Sequence, residues 1–415
     1  MYKIIKKFQK NPKNIIFCQF FDNFLNYNRN MEIYYKKNVL EKLSEILKQK
    51  YYMKKIILFC SNGVKTKCLN DVVDAINLAK NPFRLSDKHV EDKEERFQLA
   101  IAVGGGRLAN DAKIYCNKNK IDLIVIPTAP TSTVFFTSKF YYQKNNMILS
   151  SPCAEPSYVF IDEKTIETCP LFLVKKAFAL ASSYHEMLFE KEIENLIFNK
   201  NGEEVDEIKY HLLNLEKTGE KLVSGEREAK LEVMDFMIEI AKYNLDDFLI
   251  NNLNNMLDNS GIYEGSELRK IIKFSNKNKN LNVGYLIVAD LLLCFYKEMF
   301  SLKKIEAKIV PDMKKIIKKL QNFNINAKNI AKINNFDEII ENKALFLKIN
   351  VIKHKAFFLA EIYRNKIKNA IRAVVNFKPD LPDVNLCFNA VSVMPCLTKN
   401  NFLISTLACV GILDA

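Results

Sequence analysis

Phe97-Gln-Leu-Ala-Ile-Ala-Val-Gly-Gly-Gly-Arg-Leu-Ala-Asn-Asp-Ala-Lys113, followed by Ile121-Asp-Leu-Ile-Val-Ile-Pro-Thr-Ala-Pro130, is the stretch that decides the fold. The chain owns eleven glycines in 415 residues, and three of them stand side by side at Gly104, Gly105 and Gly106. Leu99 to Val103 form an uninterrupted apolar run of the length of a buried parallel strand. Leu108 to Cys116 carry helical spacing, and Leu123 to Ile126 repeat the strand pattern. The reading is a β-turn-α-β unit. Glycines at such a turn let the backbone approach a diphosphate closely, with free N–H groups and the positive end of a helix aimed at it. The alternative is a tight strand-to-helix turn that binds nothing, and the turn alone does not separate the two.

Outward from this unit, Lys55 to Cys60 predict an earlier buried strand with a turn at Ser61-Asn-Gly63, and Asp71 to Lys80 predict an amphipathic helix with Val72, Val73, Ile76 and Ala79 on one side. Phe83 to Leu85 predict a short strand, and the charged run Asp87 to Arg96 a solvated helix. Beyond Pro130, Phe140 to Leu149 read as a hairpin and Tyr158 to Asp162 as a further strand. From Leu173 onward apolar residues recur at helical spacing, with expected breaks at Gly202, Gly219, Gly225 and Gly261 to Gly265. The expected architecture is a Rossmann-like α/β domain with a parallel sheet over 31–168, then an all-helical domain over 169–415. Residues 1–30 read as an Asn-rich extension, with Met31 as an alternative start.

Composition narrows the function classes. A 48% hydrophobic chain of this length can bury a large core. No run approaches the roughly 20 apolar residues that span a bilayer, and Ile15 to Phe21 lack a cleavage site, so a cytoplasmic protein is expected. Ten cysteines stand singly with no CxxC pair, which fits thiols in a reducing compartment better than a zinc ribbon. The net charge of +14 comes from lysines spread along the whole chain. No basic stripe interleaved with aromatics is visible, which argues against nucleic acid as a partner.

Val103 to Lys113, together with Ile126-Pro-Thr-Ala-Pro-Thr131, resemble the cofactor motifs of the glycerol-1-phosphate dehydrogenases, which share a superfamily with 3-dehydroquinate synthase and the iron-containing alcohol dehydrogenases. The family pattern is GGGxxxDxxK followed by PTAPS. Lys113 matches the lysine, whereas Asn110 stands in the aspartate position, with Asp111 one place late. The opening Glu32 to Leu43 and the closing Lys399 to Asp414 are also similar to the family's ends. The resemblance implies a dehydroquinate synthase-like fold that binds NAD or NADP, reduces dihydroxyacetone phosphate to sn-glycerol 1-phosphate by hydride transfer, and serves phospholipid metabolism; a homo-oligomer is compatible with it. Carried over residue by residue, the cofactor site comprises Gly104, Gly105, Gly106, Arg107, Leu108, Asn110, Lys113, Thr128, Thr131 and Thr137.

The family's zinc, held by an aspartate and two histidines, would polarise the substrate carbonyl. Those positions hold Ala181 or Ser182, Leu268 and Val283, none of which is a ligand for a divalent ion. The positions of the family's substrate-binding histidine and aspartate hold Ile272 and Thr133. Zinc is therefore expected to be absent. Of the four histidines, His185 lies within a turn of the missing aspartate; it reads as a substitute ligand or proton donor, or as a hydrogen-bonded core histidine. Glu186, beside His185, reads as a substitute ligand, Glu267 and Asp290 as substitute ligands or as solvated helix charges, and His354 as a surface residue. Lys113 has a bland alternative too, as an exposed helix residue. Three functions remain open: an enzyme of the glycerol-1-phosphate dehydrogenase type, an inactive relative that keeps the dinucleotide, and a metal-independent enzyme on the same fold.

Overall fold

The structure is a computed structural model that describes residues 5–7, 31–60, 67–86, 96–144, 147–199, 203–242, 281–309, 311–312, 314–315, 318, 336–375, 391 and 402–413. The chain divides into two compact units, residues 1–140 with 151–174, and residues 141–150 with 175–415.

The first unit is built on a seven-stranded sheet. Its strands are β1 (Ile5–Lys7), β2 (Glu32–Lys36), β3 (Ile56–Cys60), β4 (Phe83–Ser86), β5 (Leu99–Gly104), β6 (Asp122–Pro127) and β9 (Tyr158–Asp162), in the spatial order β1-β2-β9-β6-β5-β3-β4. All neighbours run parallel except β1, which pairs antiparallel with β2 from within the stretch read as an extension. The helices of this unit are α1 (Glu41–Lys50), α2 (Lys67–Leu78), α3 (Gly106–Asn119) and α4 (Glu163–Thr168). β3, β5 and β9 are buried at every position, because helices cover both faces of the sheet and leave no side to alternate toward water. Ile56, Leu58, Leu99, Ile101, Val103, Ile124 and Ile126 share one core with α1 and α2. On the other face Phe59 meets Tyr115 of α3 edge-on, with ring centroids 5.4 Å apart.

The turn after β2 holds Asn38 at φ 55°. Asparagine is among the few side chains that tolerate this left-handed backbone. Its backbone N–H donates to the Asp162 carboxylate at 2.9 Å, and that carboxylate also caps α4 through the Thr165 N–H. The expected helix over 87–96 and the turn at 61–63 lie outside the described residues, apart from Arg96.

The hairpin strands β7 (Lys139–Lys144) and β8 (Met147–Pro152) form a separate two-stranded sheet. The second unit is otherwise helical, with α5 (Leu171–Ser182), α6 (Tyr184–Phe198), α7 (Glu203–Ser224), α8 (Glu228–Lys242), α9 (Leu281–Ser301), α10 (Phe336–Glu341), α11 (Lys343–Val375) and α12 (Phe402–Val410) among the described residues.

The break expected at Gly219 does not occur, since α7 runs straight through it. Gly219 is there for packing: a Cβ would stand 2.7 Å from Cζ of Phe178, a ring that is itself only 3% exposed. Alanine in a helix interior ordinarily gains about 1 kcal/mol over glycine. Here the buried ring cannot swing away, and overpacking costs about 1–3 kcal/mol. Gly219→Ala is therefore expected to lower the melting temperature, and a rise would show that Phe178 yields. Gly225, by contrast, does end a helix, at φ +83° with open space around it.

Candidate functional site

The carboxyl end of β5 is where the sheet winds in two directions. β3 leaves through α2 toward β4, whereas β5 leaves through α3 toward β6, and the two helices cover opposite faces. In open α/β sheets the crevice at such a switch point is the place where ligands bind. Gly104 ends β5 opposite Pro127 of β6, Gly105 takes the N-cap position of α3, and Gly106 opens the helix.

Each glycine has its own reason. A Cβ on Gly106 would collide with Cβ of Ser132 and lie 2.9 Å from its Oγ, so the turn can close onto residues 131–132 only without a side chain. One on Gly104 would stand 2.8 Å from the flexible tip of Leu108. Gly105 differs: a Cβ there would meet only Oγ1 of Thr131, at an ordinary 3.5 Å. Its backbone, at φ −84° and ψ 177°, is open to any residue. What the missing side chain preserves at Gly105 is space over the start of a helix whose own N-cap residue offers no side-chain acceptor.

The segment after β6 lies along α3 and is tied to it at two heights. Near the helix start, Gly106 N–H donates to Oγ1 of Thr131 at 3.2 Å, and Thr128 N–H donates to the Gly104 carbonyl at 3.1 Å. Two turns further on, the Lys113 ammonium donates to the carbonyl of Thr137, to its Oγ1 at 3.3 Å, and to the Lys139 carbonyl at 3.1 Å. Between these ties, Thr133–Phe136 form a 3-10 turn capped by Ser132, whose Oγ accepts from Val134 N–H.

Lys113 is not an exposed helix residue: it is 1% exposed, and burial lowers its pKa to about 8. Cys116 and Cys153 share with it a small cavity of about 40 Å³, and burial raises both thiols. Thr137 and Thr133 are buried, Asn110 is half-buried, and Arg107 is exposed. The structure thus brings Gly104 to Gly106, Thr128 and Thr131 together at the head of α3, and places Lys113 with Thr137 behind them.

The remaining candidates lie in the second unit. Ala181 and Ser182 end α5 and are buried. Val283 lies on α9, and Leu268, Glu267 and Ile272 fall outside the described residues. No group of three His, Cys, Asp or Glu able to hold a metal ion exists among the described residues. A methyl group and a hydroxyl at 181–182 do not fit a divalent cation that needs a carboxylate there.

His185 is 1% exposed on α6. Its Nδ1 lies 2.9 Å from the Ser182 carbonyl, which can only accept, so Nδ1 carries a hydrogen. Nε2 lies 3.5 Å from Oε1 of Glu216 on α7, and the same oxygen is 2.8 Å from Lys366 on α11. His185 and Lys366 together hold the Glu216 carboxyl down at about 2. Asp290 pairs with Arg364 at 2.9 Å, and His354 is exposed. Sequence reasoning missed the buried Glu190–Tyr296 and Glu192–Tyr363 hydrogen bonds of this unit, because nothing in local periodicity shows that a glutamate on α6 meets a tyrosine more than a hundred residues away.

Residues 34–170 match the family model described as iron-containing alcohol dehydrogenase, and the fold is that of the iron-containing alcohol dehydrogenases and dehydroquinate synthase. Among solved structures the chain is similar to a 1,3-propanediol oxidoreductase, at 10% identity with TM-score 0.55, covering 88% of this chain and 90% of that one. It is also similar to an alcohol dehydrogenase from an archaeon of a Red Sea brine pool, at 12% identity and TM-score 0.52 with 91% of each chain covered. A third is the NADH-dependent butanol dehydrogenase A of Thermotoga maritima, at 13% identity and TM-score 0.50, with 84% of this chain and 98% of that one covered. No curated protein matches the sequence.

Proposed function

We propose that this chain binds NAD or NADP at the head of α3 and is an oxidoreductase-type protein whose substrate is a small phosphorylated carbonyl or alcohol. The observation that carries the reading is the Gly105 turn, a helix start whose N-cap residue has no side chain and leaves room above it, at the switch point of a parallel sheet. The first N–H groups of α3, at Arg107 and Leu108, receive the diphosphate, with Gly104, Gly105 and Gly106 permitting its approach. Thr128 and Thr131 contribute hydroxyls at the rim. Asn110, Lys113 and Thr137 stand behind it, where Lys113 fixes the segment that carries the threonines. When bound, the dinucleotide supplies or accepts a hydride. The reaction that the resemblance attaches to this arrangement is reduction of dihydroxyacetone phosphate to sn-glycerol 1-phosphate.

A second reading, a relative that keeps the dinucleotide without turning over substrate, is favoured by Ala181, Ser182, Leu268 and Val283 in the family's metal positions. A neutral pocket cannot stabilise a developing alkoxide as a divalent cation does, a loss of several kcal/mol. Elemental analysis beside an NADH-oxidation assay with dihydroxyacetone phosphate separates the two. The expected result is no stoichiometric zinc, iron or nickel, and turnover that is absent or very slow. One metal per chain, stripped by chelator together with activity and weakened in His185→Ala, would make His185 a relocated ligand. Turnover without metal would support a metal-independent reaction on the same fold, with a side-chain acid protonating the carbonyl oxygen.

A further inference from the structure

The longest described helix, α11, has two apolar faces, and only one of them is used by the fold. Leu345, Phe346, Ile349, Ala356, Ala360, Tyr363, Ile367 and Val374 are buried in the helical unit. On the other side Leu347 is 69% exposed, Val351 83%, Phe358 65% and Ile362 51%. At 100° per residue these four fall in one stripe that runs about 22 Å along the helix. Phe198, at the end of α6, widens the patch beside Lys348, whose ammonium lies 5.5 Å from the Phe198 ring centroid.

The exposed charges around the stripe are cationic. Lys348 and Lys355 flank it on one side, and Lys343, His354 and Arg372 on the other, all exposed. The sole carboxylate of α11, Glu361, is turned to Lys297. A soluble helix normally places its polar residues opposite its buried face; here large apolar side chains stand at the centre of the outward face, between cations.

We propose that this face of α11 is a docking surface for an anionic lipid surface, on which the helix lies flat without crossing it. Leu347, Val351, Phe358 and Ile362 sink beneath the head groups, while the long lysine stems let the ammonium groups stay at head-group level. The charge of the face selects this occupant, because a second copy docked on the same face would bring Lys348 and Lys355 against their own kind. No described helix is long and apolar enough to cross a membrane, so the contact is peripheral.

The test is flotation of the full-length protein with vesicles of phosphatidylcholine alone and of phosphatidylcholine mixed with phosphatidylglycerol, at low and at high salt. Binding to the anionic vesicles is expected, weakening as salt rises. Val351→Ser with Phe358→Ser should reduce it roughly tenfold and leave the melting temperature unchanged, since both side chains are exposed. Lys348→Gln with Lys355→Gln should reduce it as well. Absence of anionic-vesicle binding at low salt would overturn the proposal. So would vesicle binding that survives Val351→Ser with Phe358→Ser, which would lay the attraction to the net charge of the whole chain. A self-associated species in sedimentation that this same pair of substitutions dissolves would assign the face to a second copy, and likewise overturn it.

Discussion

Gly105→Ala and Gly106→Ala are expected to fail in opposite ways, although they are neighbours in one turn. At Gly106 the new methyl meets Cβ of Ser132, which is fixed to the backbone and cannot rotate away. The turn or the 131–132 segment must move, at about 1–3 kcal/mol, and the melting temperature of the unliganded protein falls. At Gly105 the methyl has room in the folded chain, 3.5 Å from Thr131 Oγ1, and an unstrained backbone. Stability without ligand is then nearly unchanged, but the methyl fills the space over the helix start. For the wild type, NAD(P)H at about 100 times its dissociation constant adds roughly 2.7 kcal/mol to stability. Gly105→Ala should shrink that gain, and Gly105→Val should abolish it. Thermal melts of the three variants with and without nucleotide decide the matter. If millimolar NADH and NADPH leave the wild-type melt unmoved, no dinucleotide binds at this turn.

Lys113→Met is expected to change how stability depends on pH. In the unfolded chain a lysine titrates near its ordinary 10.5, whereas burial brings Lys113 to about 8 in the folded protein. Between these values the unfolded chain holds a proton that the folded one has released, so stability contributed by this group rises with pH from 8 to 10.5 and is flat below 8. The full difference is about 3 kcal/mol. The raised thiols of Cys60, Cys68, Cys116 and Cys153 act with the opposite sign, since their stabilisation is lost as pH climbs through the thiol range. Cys60 and Cys68 cancel between the two proteins, whereas Cys116 and Cys153, which the Lys113 ammonium holds lower, rise further without it, so the difference between the wild-type and Lys113→Met urea midpoints reads the lysine together with these two coupled thiols. That difference should grow in favour of wild type between pH about 8 and about 10. Parallel curves would show that Lys113 keeps its proton in the folded state, held by the carbonyls of Thr137 and Lys139.

The parallel sheet was legible because a strand buried on both faces leaves an unbroken apolar run, as in Ile56 to Cys60, Leu99 to Val103 and Tyr158 to Asp162. The strand-to-helix turn was legible because three adjacent glycines are rare in a chain with so few. Gly219 misled, since a glycine that opens a helix end and one that admits a neighbouring ring look alike in sequence. The difference is set by Phe178, some forty positions earlier. Of the two readings of Lys113, the exposed helix residue is the one that burial removes, and the sequence could not decide it: the period on α3 fixes which face the lysine takes, not that the Thr137 and Lys139 carbonyls arrive on that face to satisfy its ammonium.

By itself the sequence determined the β-turn-α-β unit, the change from a parallel sheet to helices, and the lack of metal-binding residue types at positions 181, 182, 268 and 283. Each of these depends on local periodicity or on residue identity, which carry no distance information and need none. Only the tertiary structure decided that Gly105 guards space whereas Gly106 guards a contact, that Lys113 is a buried cation, that His185 and Lys366 meet the same Glu216 oxygen, and that one apolar stripe of α11 faces outward. Those are relations between segments far apart in the chain, created when packing brings them within a few ångströms of one another.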